Sequence, residues 1–470
     1  MASPLDDPRT NGRDGSVSRR ELLKQGAAAV GGAAILNATP ALAQGQAPAV
    51  TNSNRSMAGT RFRAFVQRPG QPGAVETIVL REIQPNQVVV RVQAAQACYT
   101  IVGALVAQAN PGGVAGGPPG GGPGAPPGAV SVGHGSVGIV EQIGSRVNRV
   151  QVGDRVLVAG NGACGECWLC LHGRADACTT PGTRTRQPVA DATDGTPING
   201  TGGFSEFHVA FEEWIVPINT TVPAEELSLF CDVAAVGLGM TMRRMPVEQG
   251  TDVLVIGGGP IGLSAVQGAR LQGAAQVILI EPIRYRRELG AKLGATTVID
   301  PNVDRGQNNQ DLITKIRTLC KQGVERSVSG GRGPNLNNYG PMYTIEAVGG
   351  NRFPPKAEVG PDVTGVESLQ LAWTICPSGG VIRTCSIGHG QGASVTFPAG
   401  QWSNAMKTHL PGNYAGVNVM RDIPQWVRLV EAGRFDAKSL VGQTFPLDRT
   451  RDALQVAADR TTITSVVTMT

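Results

Sequence analysis

The sequence is poor in charged and aromatic residues, and it holds no long apolar segment. Asp, Glu, Lys and Arg make up only 16% of the 470 residues, aromatic residues make up 4%, and the formal net charge is +5. So small and evenly spread a charge excludes nucleic acid and acidic membrane surfaces as principal partners. The lack of any run of 18 apolar residues excludes a membrane-spanning helix. The hydrophobic content of 41% is ordinary, which excludes wholesale disorder.

Glycine, proline and cysteine, by contrast, are well represented. The chain has 64 Gly, 32 Pro and nine Cys, and its length favours two or more domains. Part of the glycine excess lies in residues 110–129, where the lack of bulky side chains predicts a loop insertion. The nine cysteines are disulfide partners, metal ligands or buried small residues. Their spacing in the sequence indicates which of these roles they have.

The first 43 residues have the layout of an export signal. Arg19 and Arg20 precede a small-residue apolar run at 26–36, and Ala41 and Ala43 offer a cleavage site before residue 44. This layout is typical of a twin-arginine signal peptide, and the alternative is a simple N-terminal helix. We therefore expect a signal at 1–43, a linker at 44–57, the twin-arginine export machinery as a partner, and a periplasmic or secreted protein.

A glycine-rich turn lies where the hydrophobic pattern changes. Alternating β-type runs begin at about residue 58, whereas from about residue 251 apolar strands alternate with helix-like segments, which favours an α/β fold with a parallel sheet. The strand at 252–256 leads into Gly257, Gly259, Pro260, Ile261 and Gly262. Glycines at these spacings allow a tight turn, close approach of a diphosphate and close helix packing. These residues are the candidate dinucleotide-binding turn; the alternative is a purely structural turn.

An acidic residue follows this turn at the distance that nucleotide binding needs. Glu281 lies 19 residues after Gly262, at the end of the next predicted strand. A carboxylate here accepts hydrogen bonds from ribose hydroxyls and repels a 2′-phosphate, which favours NAD(H) over NADP(H). The nearby Arg284, Arg286 and Arg287 favour NADP(H) instead, because arginine pairs with a 2′-phosphate. We assign Glu281 and Arg286 to cofactor binding; the alternative is a solvated Glu281.

Four cysteines form a short cluster: Cys164, Cys167, Cys170 and Cys178. Four thiolates at this spacing can close around one tetrahedral Zn²⁺ and leave no open position, so the site would be structural. In an exported protein the alternative is two disulfides. Metal insertion before export of the folded chain favours zinc.

The order of these motifs resembles that of the zinc-dependent alcohol dehydrogenases in the medium-chain dehydrogenase/reductase superfamily. The resemblance rests on Cys98-Tyr99-Thr100, Gly133-His134, the cysteine cluster, the segment 203–207, Cys231 and the glycine turn. It implies an α/β fold with a GroES-like β-barrel catalytic domain and a Rossmann doubly wound parallel sheet. It places the barrel with its zinc lobe at 58–227, the Rossmann NAD-binding domain at 228–395 and a C-terminal return to the catalytic domain at 396–470.

The resemblance also implies the catalytic residues. Cys98, His134 and Cys231 match the three protein ligands of a catalytic zinc, and Thr100 matches a hydroxyl that relays the alcohol proton. The cofactors implied are two zinc ions per chain and NAD(H). Taken singly, the two cysteines and the histidine also suit buried structural roles.

Two departures from the family pattern bear on the catalytic zinc. Gly135 follows the ligand histidine where the family usually has Glu, and Ile101 stands where it usually has Asp. Residues that orient metal ligands affect metal affinity and activity about 10–100-fold. The 110–129 insertion lies between Cys98 and His134, so we expect it near the substrate cleft, either as a lid or as a surface loop.

The resulting hypothesis is an exported zinc-dependent alcohol dehydrogenase. It would exchange a hydride between a small alcohol, aldehyde or ketone and NAD(H), keep the nucleotide tightly bound because free NAD(H) is scarce outside the cytoplasm, and form a homo-oligomer as family members do. The alternatives are a reductase or lyase of the same fold with an altered metal site, and a non-catalytic nucleotide-binding protein.

Overall fold

The structure, a computed structural model, describes residues 54–107, 128–180, 187–304, 306–321, 339–349, 365–385, 393–412 and 414–469. The predicted signal at 1–43 and nearly all of the 110–129 insertion lie outside these residues. Within them, none of the helices combines the length and the apolar character needed to cross a bilayer.

The N-terminal part of the described chain is built mainly of strands. They are β1 (Arg61–Gln67), β2 (Ala74–Leu80), β3 (Gln87–Ala97), β4 (Val130–Ser131), β5 (Ser136–Ile143), β6 (Arg155–Val158), β7 (Ala190–Ala192), β8 (Pro197–Ile198), β9 (Phe207–Phe211) and β10 (Ile215–Pro217). The helices in this part are short: α1 (Trp168–Leu171) and α2 (Ala224–Ser228), together with a 3₁₀ segment at Tyr99–Leu105.

Strands and helices alternate in the next part of the chain. Its strands are β11 (Asp252–Ile256), β12 (Gln276–Ile280), β13 (Thr297–Ile299), β14 (Tyr343–Glu346), β15 (Val381–Thr384) and β16 (Thr408–Pro411). Its helices are α3 (Val233–Met242), α4 (Pro260–Leu271), α5 (Arg284–Lys292), α6 (Pro301–Asp304), α7 (Gln310–Lys321), α8 (Val366–Ile375) and α9 (Ala399–Asn404). All of the pairs in this sheet are parallel, in the order β13-β12-β11-β14-β15-β16.

The C-terminal residues return to the first part. They form α10 (Val419–Glu431), β17 (Gln443–Pro446), α11 (Thr450–Ala458) and β18 (Ser465–Thr468). Strand β18 pairs antiparallel with β3, so the end of the chain completes the sheet β10-β6-β5-β3-β18-β17, to which β9 also pairs. The other barrel sheet has the order β4-β1-β2-β7-β8.

The predicted fold class is confirmed: a GroES-like β-barrel and a Rossmann doubly wound parallel sheet. The parallel sheet extends further than residue 395, because β16 forms its edge beyond β15. Helix α3 is buried along Val233–Thr241 and packs against α4, where Gly237 allows close approach to the α4 backbone. An apolar helix buried on all sides joins the barrel and the sheet into one core.

Candidate active site

An open cleft lies at the carboxyl ends of the parallel strands, where ligands bind in sheets of this type. It encloses about 1010 Å³ of empty space, with the open solvent at its mouth included. The barrel contributes Cys98 and Thr100, the sheet contributes Gly257 and Glu281, and the C-terminal return contributes Arg460. Residues far apart in sequence therefore share one cleft.

The glycine turn forms the floor of this cleft. Gly257 has φ +100°, a conformation that side chains disfavour, and a Cβ at Gly262 would overlap the Gly257 carbonyl oxygen. Gly259 caps α4 and has open space beside it, and Pro260 occupies the first turn of that helix. Free N–H groups at this helix start suit a diphosphate. The structure brings the predicted turn residues together, with Ile261 also lining the cleft.

Glu281 is buried beneath the turn. One carboxylate oxygen accepts the N–H of Gly258 and the other accepts the N–H of Ile283 at 2.8 Å. A carboxylate has lone pairs left after two such bonds, so ribose hydroxyls can still be accepted.

The three arginines after Glu281 have different surroundings. Arg284 pairs with Glu288 on the surface, and Arg287 pairs with Asp300. Of the three, Arg286 lines the cleft. The predicted choice of Arg286 as the cofactor-binding arginine therefore agrees with its position.

A second cluster of polar side chains lies on the barrel side of the cleft. Cys98 directly follows β3, His134 lies between β4 and β5, and Asp232 precedes α3; their ligand atoms lie within 4.8 Å of one another. The Thr100 hydroxyl lies 3.2 Å from the Cys98 sulfur and 3.1 Å from His134 Nε2. Gln96 donates to the Asp232 carboxylate at 3.4 Å.

The structure does not bring Cys231, the third predicted zinc ligand, together with Cys98 and His134. The Cys231 thiol is fully buried and donates to the Ser136 carbonyl at 3.3 Å, whereas the Asp232 carboxylate joins Cys98 and His134. The turn before α3 directs these two consecutive side chains to opposite sides, so Asp232 joins the cluster and Cys231 enters the core. The sequence held one signal for this role of Asp232: the residue directly precedes the apolar helix α3. An acidic residue in such a place is seldom buried without a partner.

The ionisable groups of this cluster shift one another's pKa values. Burial alone would lower the pKa of His134, but hydrogen bonds to Asp232 and Cys98 raise it to about 10. Burial opposes ionisation of Asp232, yet the hydrogen bond with His134 lowers the pKa of its carboxyl. Burial also raises the pKa of the Cys231 thiol. A carboxylate held ionised beside an imidazole and a sulfur is a donor set that zinc accepts.

The two departures from the family pattern have structural reasons. A Cβ at Gly135 would overlap the Val158 carbonyl oxygen and lie 2.7 Å from the Cys231 Cβ, so the glutamate of the family pattern has no room here. Ile101 packs on the barrel core that contains Phe65. In this chain Gln96 and Thr100 supply the polar contacts to the cluster.

We expect Gly135→Ala to lower the free energy of unfolding by about 1–3 kcal/mol, because the added methyl group must displace backbone and the Cys231 turn. Urea titration of the purified protein measures this loss. Gly200→Ala is the matched control, since a Cβ there meets no atom within 4 Å. Equal stability of the two variants would contradict the packing described for Gly135.

The four-cysteine lobe is a closed metal site. The sulfurs of Cys164, Cys167, Cys170 and Cys178 lie within 4.8 Å of one another, and all four thiols are free. Three of their separations are 3.6, 3.8 and 3.9 Å. Zn–S bonds of about 2.3 Å in a tetrahedron place sulfurs roughly 3.8 Å apart. The geometry fits zinc and differs from the alternative of two disulfides.

A backbone N–H group prepares one sulfur of the lobe for a cation. The Cys170 N–H donates to the Cys167 sulfur at 3.5 Å and lowers the pKa of that thiol to about 6. Arg149 anchors the lobe to the barrel by donating to the carbonyls of Ala163 and Cys164. The lobe is therefore both pre-shaped and fixed to the catalytic domain.

Comparison with known families agrees with this geometry. Residues 84–220 match the model of the alcohol dehydrogenase GroES-like domain, and residues 260–401 match that of the zinc-binding dehydrogenases. Together the two matches cover more than half of the chain. A barrel and a Rossmann sheet sharing one cleft, with these two thiol-containing clusters, define a zinc-binding dehydrogenase. The chain belongs to the medium-chain, zinc-binding alcohol dehydrogenase family.

Individual relatives can be named within that family. The chain is 34% identical over 183 residues to S-(hydroxymethyl)glutathione dehydrogenase of Candida maltosa, over 37% of this chain and 48% of that protein. It is 26% identical over 412 residues to the enzyme of the same name from Escherichia coli O1:K1 / APEC, over 85% and 97% of the two chains. The alignments span about half the length of the Candida maltosa and Saccharomyces cerevisiae relatives.

Solved structures share the fold. Benzyl alcohol dehydrogenase of Acinetobacter calcoaceticus superposes with a TM-score of 0.68 at 22% identity, over 87% of this chain and all of that one. A zinc-binding dehydrogenase of Sinorhizobium meliloti, solved bound to NADP, superposes with a TM-score of 0.61 at 23% identity, over 87% and 99% of the two chains.

Proposed function

We propose that the protein is a zinc-dependent alcohol dehydrogenase that exchanges a hydride between a small alcohol, aldehyde or ketone and a nicotinamide dinucleotide. One observation carries this proposal: Cys98, a member of the metal-ligand cluster, and Thr100 beside it line the same cleft as the glycine turn. A metal-ligand set and a nucleotide-binding turn on facing walls are what hydride transfer at an alcohol carbon requires.

The residues of the cluster suit a catalytic rather than a structural metal. Cys98, His134 and Asp232 supply three ligands, so a fourth position is left for the oxygen of a substrate. Zinc bound there supplies Lewis-acid polarisation of that oxygen. The Thr100 hydroxyl, which lines the cleft beside Cys98, both donates and accepts hydrogen bonds, and it can therefore carry the proton of the alcohol group.

The other wall suits a nicotinamide dinucleotide, which supplies the hydride acceptor or donor. The N-terminal turn of α4, from Gly259 to Ile261, lines the cleft, and the N–H groups of Gly259 and Ile261 suit the diphosphate. Glu281 lies where a ribose would be held, and Val348 and Gly349 line the cleft at the end of β14. A dinucleotide held at these positions would extend along the same cleft that Cys98 lines.

Export remains part of the proposal. The twin-arginine pattern at residues 19 and 20 supports passage of a folded chain, and folding before export allows zinc and nucleotide to be acquired in the cytoplasm. Residues of the barrel, the parallel sheet and the C-terminal return all line the cleft, and contacts from all three parts would favour slow release of the nucleotide.

The test of the function is a panel of small alcohols and aldehydes assayed with NAD(H) and NADP(H) on protein purified from the exported fraction. We expect nucleotide-dependent turnover, about two zinc ions per chain, a mature N-terminus near Gln44 and nucleotide that remains through gel filtration. Zinc-loaded, nucleotide-bound protein without turnover on any member of the panel would overturn the dehydrogenase proposal. Turnover by a protein retained in the cytoplasm would overturn export alone.

A further inference from the structure

A buried tyrosine contacts the turn that carries Asp232. Tyr414 lies just after β16, is only 5% exposed, and donates its hydroxyl to the Cys231 carbonyl at 3.0 Å. The same carbonyl accepts the N–H of Gly160, just after β6, at 2.7 Å. This carbonyl belongs to the planar peptide group that joins Cys231 to Asp232. The two donors therefore fix the orientation of the peptide from which Asp232 extends.

Two glycines leave the space that Tyr414 occupies. A Cβ at Gly160 would overlap the Tyr414 hydroxyl. A Cβ at Gly239, on α3, would lie 2.5 Å from a methyl carbon of Val417 and 3.2 Å from the Tyr414 carbonyl oxygen. Close packing of this kind restricts the movement of a side chain. Tyr414 is thus held from the barrel side and from α3 at once.

A buried arginine fixes the backbone that follows Tyr414. Arg383, on β15, is 1% exposed, and its guanidinium donates to the Ala415 carbonyl at 3.0 Å and to the Arg243 carbonyl, just after α3, at 2.8 Å. Ala415 has φ +51°, a conformation that residues other than glycine seldom adopt. Such a conformation persists where surrounding contacts hold it, and Arg383 supplies one of these contacts.

The peptide that Tyr414 holds leads directly to the metal-ligand cluster. The Asp232 carboxylate lies 3.2 Å from His134 Nδ1, and the ligand atoms of these two residues and of Cys98 lie within 4.8 Å of one another. Tyr414 is not among the described residues that line the cleft. Its hydroxyl therefore acts on the cluster through the Cys231 carbonyl.

We propose that Tyr414 is a positioning residue for the catalytic metal site, because its hydroxyl holds the Cys231–Asp232 peptide where the Asp232 carboxylate meets Cys98 and His134. This inference rests on the proposed function. Zinc requires its ligand distances to within about 0.2 Å, so a small rotation of this peptide displaces a ligand. Loss of a group that orients a ligand costs about 10–100-fold in metal affinity or activity.

Tyr414→Phe tests the inference, because it deletes the hydroxyl and keeps the ring. With the full-length zinc-loaded protein, we expect kcat/KM for the best alcohol of the panel to fall about tenfold and the cleft zinc to pass to a chelator about tenfold faster. Zinc in the four-cysteine lobe should leave at the wild-type rate, because Arg149 anchors the lobe. Cys98→Ser, which lacks a cleft ligand, identifies the release phase of the cleft zinc.

Tyr343→Phe is the matched control. Tyr343 is also buried, at 4% exposure, but it begins β14 and so lies at the amino ends of the parallel strands, away from the cleft. This variant should keep the kcat/KM and both zinc-release rates of the wild type.

A Tyr414→Phe protein with wild-type kcat/KM and zinc release overturns the inference and leaves the dehydrogenase function intact. Equal acceleration of both zinc-release phases in this variant also overturns it, because the hydroxyl would then stabilise the fold as a whole. Failure of the wild-type protein to turn over any alcohol or aldehyde would instead overturn the proposed function.

Discussion

Asp232→Ala is expected to abolish alcohol oxidation, lowering kcat/KM by about 10³-fold or more. Loss of a group that merely orients a ligand costs about 10–100-fold, and loss of a ligand exceeds this. Asp232 is the carboxylate that lies with Cys98 and His134, and its removal also deprives His134 Nδ1 of its partner at 3.2 Å. Steady-state kinetics with the best alcohol of the panel, together with zinc content, measure the effect.

Cys231→Ala is the matched control for this variant. Its thiol contacts the Ser136 carbonyl within the core, so its removal should cost some stability and change kcat/KM by less than about threefold. Reversed outcomes, with Cys231→Ala inactive and Asp232→Ala active, would restore Cys231 as the ligand. Two inactive variants, each with full zinc content, would contradict a ligand role for either residue.

Cys167→Ser is expected to remove the lobe zinc and to raise the rate of proteolysis in residues 164–178 by about tenfold or more. Cys167 caps α1 by accepting the Cys170 N–H, and serine is a good cap, so the variant keeps the helix start and loses a metal ligand. The folding of small zinc lobes is coupled to the metal, so the unliganded lobe opens. Zinc analysis and limited proteolysis measure both effects.

Leu171→Ala is the control for the lobe, since Leu171 is 71% exposed and contributes no ligand. It should retain about two zinc ions and the proteolysis rate of the wild type. A Cys167→Ser protein with unchanged zinc content would contradict the closed four-sulfur site. An unchanged proteolysis rate after zinc loss would show that the metal does not stabilise the lobe.

The features predicted correctly from sequence are those set by short-range geometry. The glycine turn and the four-cysteine lobe are each formed by residues less than 20 positions apart, so spacing alone determines which atoms can meet. The β-rich part and the parallel-sheet part could be predicted for the same reason, because the period of the apolar residues along the chain distinguishes strands from helices.

The residues that sequence reasoning missed depend on long-range packing. Cys231 and Asp232 are neighbours, and only the position of the turn against β5 decides that Asp232, and not Cys231, joins Cys98 and His134. The Arg460 guanidinium lies over the ring of Tyr99, a residue far away in the sequence, and Arg460 belongs to none of the motifs described above. Strand β16 escaped prediction because its residues are half-exposed at a sheet edge, which gives a weak alternation.

The central claim is that Cys98, His134 and Asp232 hold the catalytic zinc at the nucleotide cleft. X-ray absorption at the zinc edge on the Cys167→Ser protein tests it most directly, because that variant should keep zinc only at the catalytic site. We predict one sulfur ligand per zinc, with nitrogen and oxygen completing the shell. Two sulfur ligands would contradict the assignment of Asp232, and a protein without zinc would contradict the catalytic site itself.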